Sequence, residues 1–141
     1  MDVAIPEAVE RECCENQRSL DALVIQKVVD ESRIKVVSVE NKALVAKLRE
    51  DFQLGIGEAE AIALASLEKT RLLGIDDKSG INACKLLGIS FTTALGILVR
   101  SGEKQLLTRS GALAQLAELA RHGRYKKSII EDARVRLEEQ P

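Results

Sequence analysis

Gly57-Glu58-Ala59-Glu60-Ala61-Ile62-Ala63-Leu64-Ala65, followed after a short break by Arg71-Leu72-Leu73-Gly74-Ile75-Asp76, decides the fold class of this 141-residue chain. Past its first turn the earlier stretch is apolar almost all round. A helix of that kind is buried by neighbours on several sides, and its alanines let those neighbours come close. The later stretch is a short apolar run that ends on carboxylates, the pattern of a buried strand. A buried helix leading into a buried strand is the repeating step of an α/β architecture.

Working outward, the same alternation continues in both directions. Toward the N-terminus, Val3-Ala4-Ile5 reads as a short strand. Pro6 suits the first position of a helix running through Val9 to about Cys14, where a missing amide donor costs nothing. Ser19-Leu20-Asp21 opens a second helix with apolar residues at Leu23, Val24, Val28 and Val29. Ile34 to Val39 is β-branched enough for a strand, and Asn41 to Phe52 returns to helical spacing. Toward the C-terminus the pattern predicts a helix over Lys78–Leu87, a short strand near Ile89–Phe91 and a helix from about Thr93 to Arg100. Two amphipathic helices follow, roughly Leu113–Arg121 and Ser128–Glu138. Strands alternating with helices imply a parallel sheet with helices on both faces.

Composition fits one compact domain over residues 1–141. The chain is 45% hydrophobic and 30% charged, and its only prolines are Pro6 and Pro141, so nothing inside it reads as a linker. The N-terminus lacks a basic segment followed by an apolar one, and no stretch is long and uncharged enough to span a bilayer. The expectation is therefore a cytoplasmic protein that makes no use of a membrane. Cys13, Cys14 and Cys84 have no metal-ligand spacing and are expected as reduced, buried thiols. The formal net charge of -1 removes any argument from overall charge for nucleic-acid binding. Phe52, Phe91 and Tyr125 are the only aromatic residues, which argues against base-stacking platforms of the kind single-strand binders use. An RNA contact would have to use a local patch.

Acidic residues stand where an open parallel sheet leaves its crevice. Asp76 and Asp77 end the 71–76 strand, Glu58 and Glu60 open the buried helix, and Glu12 lies one to two turns into the first helix. Carboxylates gathered at one crevice repel one another unless a cation neutralises them, and an oxygen-only donor set suits a hard divalent ion. Each residue also has a structural reading. Glu58 and Glu60 oppose a helix dipole, Asp77 caps the following helix, and Glu12 is a solvated glutamate. Residues two apart on a helix point about 200° from each other, so only one of Glu58 and Glu60 can face inward. Glu60, one turn before Ala63 and Leu64, is the better inward residue. One of Asp76 and Asp77 is a ligand on this reading, and the other a cap or supporting group.

Ile5-Pro6-Glu7-Ala8-Val9-Glu10-Arg11-Glu12, the Gly57–Ala65 stretch and Ile75-Asp76-Asp77-Lys78-Ser79-Gly80 together resemble, in order and spacing, the three acidic blocks of PIN domains. The second and third blocks are most similar to those of short prokaryotic PIN proteins related to VapC-type toxins. Leu86-Leu87-Gly88-Ile89 and Thr92 to Leu98 resemble that group's next segments. The resemblance implies a three-layer α/β fold and a metal-dependent ribonuclease. Glu12, Glu60 and Asp76 would be its catalytic, metal-binding carboxylates and Glu58 and Asp77 supporting acids. It implies Mg²⁺ or Mn²⁺ as cofactor, RNA as substrate, an antitoxin protein as partner and a homo-oligomer. PIN domains begin with a strand that ends in an Asp ligand, and nothing here precedes Val3-Ala4-Ile5, so the fold is expected to be N-terminally truncated. The alternative reading is a non-catalytic PIN-like module for partner binding or dimerisation.

Other chemistries are less well supported. Arg121-His122-Gly123-Arg124-Tyr125-Lys126-Lys127 could grip phosphate, but the preferred reading is a solvated connector. His122, the only histidine, is a poor general base in so charged a loop. Serine-hydrolase and nucleotide-binding loops are absent. An Asp76-Asp77 receiver domain is disfavoured because that pair falls late in the chain.

Overall fold

The computed structural model describes residues 2–15, 19–123 and 125–141. It divides into two compact units, Met1–Phe91 and Thr92–Pro141. The first unit begins with β1 (Val3–Pro6), α1 (Glu7–Cys14), α2 (Leu20–Asp30) and β2 (Ile34–Val37). It continues through α3 (Lys42–Phe52), α4 (Ile56–Glu68), β3 (Leu73–Gly74) and α5 (Lys78–Leu87). β4 (Phe91–Thr92) falls at the division, and the second unit holds α6 (Ala94–Glu103), α7 (Arg109–His122) and α8 (Lys127–Glu138). The class is mixed α/β, as the alternation predicted, with eight helices among the described residues.

Helix starts follow from local caps. Ser19, Asn41 and Asp77 each accept a backbone N–H from the residue three ahead, and so satisfy one of the donors a helix N-terminus leaves open. Thr93 and Thr108 do the same for α6 and α7. The Thr108 cap explains why α7 begins four residues before the expected Leu113. At the end of α5, Gly88 takes the left-handed conformation (φ 68°) and its N–H closes on the Cys84 carbonyl, which stops the helix cleanly.

α4 is the hub of the first unit, packing against α1, α3, α5, β1 and β3. Ala59, Ile62 and Ala63 are fully buried, as an all-round apolar helix requires. Around them lie Val39, Val45, Leu48, Leu54, Ile75, Ala83 and Cys84. The second unit has its own core of Leu95, Leu98, Val99, Ala112, Leu116, Ala133 and Leu137. Gly102 allows the close approach of α6 and α8 there, since a Cβ on it would lie 2.5 Å from Leu137 Cδ2.

The strands depart from the expected single parallel sheet. β1 and β2 pair in parallel, with Val3 opposite Ile34 and Pro6 opposite Val37. β3 and β4 form a separate two-stranded pair, tied by the Leu73 N–H donating to the Ser90 carbonyl. The expected buried strand over 71–76 shrinks to Leu73–Gly74, because Arg71, Leu72 and Gly74 face solvent and only Ile75 is buried. Pro6 ends β1 instead of opening α1. Its φ of -71° suits either role, but its ψ of 160° is extended. Cys14 and Cys84 are buried free thiols as expected, whereas Cys13 is exposed, one step round α1 from the packed face. Among the described residues no helix is long and apolar enough to cross a membrane.

Candidate functional site

α1 starts with an unfilled requirement. Its N-cap is Pro6, which has no side-chain acceptor for the open amides of the first turn. Glu60, 52 residues away on α4, supplies one: its Oε2 accepts the Ala8 N–H at 3.0 Å. Both groups are out of solvent, with Glu60 4% and Ala8 1% exposed. A carboxylate there also meets the positive end of the α1 dipole, so the bond is charge-assisted. Glu60 Oε1 lies 4.0 Å from Lys42 Nζ, at the start of α3. The expectation that Glu60 faces inward holds.

Glu12 makes the complementary contact in the opposite direction. Its carboxylate rests against Gly57 in the first turn of α4, where a Cβ would stand 2.6 and 2.7 Å from its two oxygens. Glycine at 57 therefore makes room for an acidic group, and the α4 dipole favours the charge placed there. Each helix thus sets a carboxylate on the first turn of the other. Glu12 is exposed and also lines an open cleft of about 560 Å³ along α1, which it shares with Glu10, Arg11, Glu15 and Ile56. Three carboxylates to one guanidinium make that cleft a cation-attracting surface.

The remaining predicted acids stand apart from this contact. The Glu58 carboxylate folds back over Gly55, the N-cap of its own helix, where a Cβ would be 2.5 Å from its Oε2. Asp77 takes the capping role, its Oδ2 accepting the Gly80 N–H at 2.9 Å. Asp76 is exposed just after Ile75 and has an interaction within the protein. Among the described residues no three His, Cys, Asp or Glu side chains are gathered as a metal-binding group. The structure therefore brings Glu12 and Glu60 to one helix pair and does not bring Asp76, Asp77 and Glu58 to the same point.

Reading the sequence missed Lys42 and Gly57. Gly57 could have been suspected, since glycine in a helix otherwise built of alanine and leucine implies a close approach. Lys42 has no such signal. In the basic segment, Arg124 lies outside the described residues, and His122 Nε2 sits exposed, 3.4 Å from Glu118 Oε2. That is a surface pairing on α7, in keeping with a solvated connector. Desolvation, followed by the neighbouring Cys14, Glu12 and Glu10, pushes the Cys13 thiol above its ordinary value, which keeps it protonated at neutral pH.

No curated protein and no solved structure matches the chain. A family model described as DUF3368, a PIN domain, matches residues 1–139. The match spans the α1–α4 carboxylates, the Asp76–Asp77 pair and almost all of the rest of the chain, so the protein belongs to the PIN-domain family and carries a fold of nuclease type.

Proposed function

We propose that this protein is a metal-dependent ribonuclease that hydrolyses RNA phosphodiester bonds, the toxin of a toxin–antitoxin pair, with an antitoxin protein as its partner. Membership of the PIN family supports the reaction class, and the likeness of the 57–65 and 75–80 segments to VapC-type proteins supports the toxin role. The observation that carries the reading is the reciprocal placement of Glu12 and Glu60 across the α1–α4 contact, beside an acidic cleft. Glu60, bonded to the Ala8 N–H, is positioned before any ligand arrives.

PIN domains generally use divalent metals, and the donors fit such an ion in kind. Glu12 and Glu60 offer carboxylate oxygens, the ligands Mg²⁺ and Mn²⁺ prefer; Asp76 is the proposed third ligand and Glu58 and Asp77 the proposed supporting acids, all three standing apart from the α1–α4 contact in this structure. A bound metal would activate water and neutralise charge developing on the phosphate. The chain's own residues do the positioning. Glu60 fixes the start of α1 through Ala8 and thereby the orientation of Glu12. Lys42, its side chain 65% exposed, can swing to solvent when another cation takes its place.

A specific observation favours a second reading, a non-catalytic partner-binding module. Glu60, Glu58 and Asp77 are each engaged inside the fold, as helix caps or beside a helix N-terminus. Calorimetric titration of Mn²⁺ into the full chain and into a Glu60→Gln/Asp76→Asn variant, followed by RNA cleavage under the same conditions, separates the two. The nuclease reading expects binding and cleavage that both vanish in the variant. No binding and intact RNA with the unaltered chain would leave only the module.

A further inference from the structure

The net charge of -1 conceals a division. Residues 92–141 carry nine Lys and Arg against six Asp and Glu, whereas residues 1–91 carry 12 against 16. Much of the basic excess of the second unit lies where α7 ends and α8 begins, and the two ends of that connector obey different rules. At the end of α7, Arg121 and His122 stand where a helix dipole favours positive charge, and they pair with Glu118 at 3.2 and 3.4 Å. They need no ligand to account for them. At the start of α8 the dipole opposes positive charge, yet Lys126 is the N-cap and Lys127 the first helical residue. No side chain caps that end, and its first turn holds no acidic residue. Glu131, one turn after Lys127, is bonded to Arg134, whose Nε donates to it at 3.0 Å. Lys126 and Lys127 are exposed, and among the described residues neither has an ion-pair partner. Lysines set against a dipole and left unpaired are a local cost, of the kind found at functional places where a ligand offsets it.

We propose that Lys126 and Lys127, with Arg121 at the other end of the short connector, grip the phosphate backbone of RNA on a different unit from the α1–α4 carboxylates. The choice of RNA rests on the ribonuclease reading; the need for a polyanion rests on the lysines. Cations on an open surface suit a ligand whose charge repeats along a chain, because each phosphate displaces counterions without requiring an enclosed pocket. Arg121 is free to join them, since its side chain is 66% exposed and a surface pair such as that with Glu118 is weak. Tyr125, the one aromatic residue of the segment, packs against the core of the second unit and leaves bases nothing to stack on. The contact is therefore to backbone, supplies affinity, and is independent of sequence.

Fluorescence anisotropy of a labelled, unstructured RNA with the full chain tests this, in excess EDTA so that binding is read without cleavage, from about 50 to about 200 mM salt. Lys126→Gln/Lys127→Gln should bind at least about tenfold more weakly at the lower salt, and the slope of log affinity against log salt should fall by about 1 to 2. Lys126→Arg/Lys127→Arg should bind like the parent. Lys35→Gln/Lys85→Gln removes the same charge from exposed positions of the first unit and should stay within about twofold of it. Thermal melts separate binding from support of the fold: the Gln pair in α8 relieves charge opposed to the dipole and should melt no lower than the parent. RNA bound by the parent but equally well by the α8 Gln pair, an equal loss in the first-unit control, or a lower melt would each overturn the inference and leave the ribonuclease reading standing. Displacement of the RNA by polyglutamate as readily as by unlabelled RNA would overturn it in favour of an acidic protein ligand. A parent chain that binds no RNA at any salt would overturn both.

Discussion

Glu60→Ala removes the acceptor for a buried backbone donor, and its cost follows from the geometry. The Ala8 N–H at 1% exposure has no water to turn to, so losing Glu60 Oε2 leaves a buried amide unsatisfied, worth about 1–3 kcal/mol. The Lys42 contact adds less than about 0.5 kcal/mol, because Lys42 is mostly solvated and the separation is 4.0 Å. A loss near 2 kcal/mol lowers the urea midpoint by roughly 1 M at an ordinary dependence on denaturant. Glu60→Gln keeps a carbonyl oxygen in reach of Ala8 and should lose under about 1 kcal/mol. Urea unfolding followed by circular dichroism measures both variants, and hydrogen exchange at the Ala8 amide locates the effect, accelerating in Glu60→Ala alone. If Glu60→Ala is as stable as the parent, or Glu60→Gln is as damaged as Glu60→Ala, the long-range cap does not hold α1.

Further outcomes follow from particular contacts. Gly57→Ala places a methyl group where the Glu12 carboxylate lies; Glu12 is exposed and can move, so stability should change by no more than about 1 kcal/mol, helped by alanine's helix preference. Calorimetry should nonetheless show at least about tenfold weaker Mn²⁺ binding if Glu12 is a ligand, and unchanged affinity would remove it from the set. Leu137→Ala empties a side chain 1% exposed between α6 and α8 and should cost about 2–5 kcal/mol in urea unfolding. Hydrogen bonds from Arg136 and then Arg100 hold the Glu103 carboxyl below its ordinary 4.5, so its contribution to stability is complete above that pH and is lost as pH falls through the lower folded value. Thermal melts should therefore decline below about pH 4.5, and decline less in Glu103→Gln. Cys13, raised above its ordinary 9.0 by desolvation and then by nearby negative groups, should react slowly with a disulfide reagent at neutral pH, and faster in Glu12→Gln.

Local features of the fold were legible, and distant ones were not. Ser19, Asn41 and Asp77 announce helix starts through side chains that bond three residues ahead, a relation contained in a few letters of sequence. The burial of α4 was likewise written in its composition. The 71–76 segment misleads because apolar content alone does not tell a strand from an extended connection; only Leu73–Gly74 finds a partner. Glu60 could be assigned its inward direction from helical geometry, but not its bond to Ala8 across 52 residues, because nothing local encodes which amide lies opposite. Asp76 and Glu12 share the family's order along the chain, yet order in sequence does not fix convergence in space.

The cap that Glu60 places on α1 limits which of its variants can probe the proposed metal role. A carboxylate that caps α1 cannot be truncated to test a proposed cation role without confusing unfolding with lost chemistry, since Glu60→Ala disturbs the helix that carries Glu12. Glu60→Gln separates the two effects: the amide oxygen still receives the Ala8 N–H, while the negative charge a metal needs is gone. Lys42 sharpens the comparison, because its ammonium already provides part of the positive charge near Glu60. A Lys42→Ala variant should therefore bind Mn²⁺ more tightly if the metal takes that position, and a Glu60→Gln background should erase the gain. Equal affinity with and without Lys42 would place any metal away from Glu60 and return the carboxylate to a purely structural role.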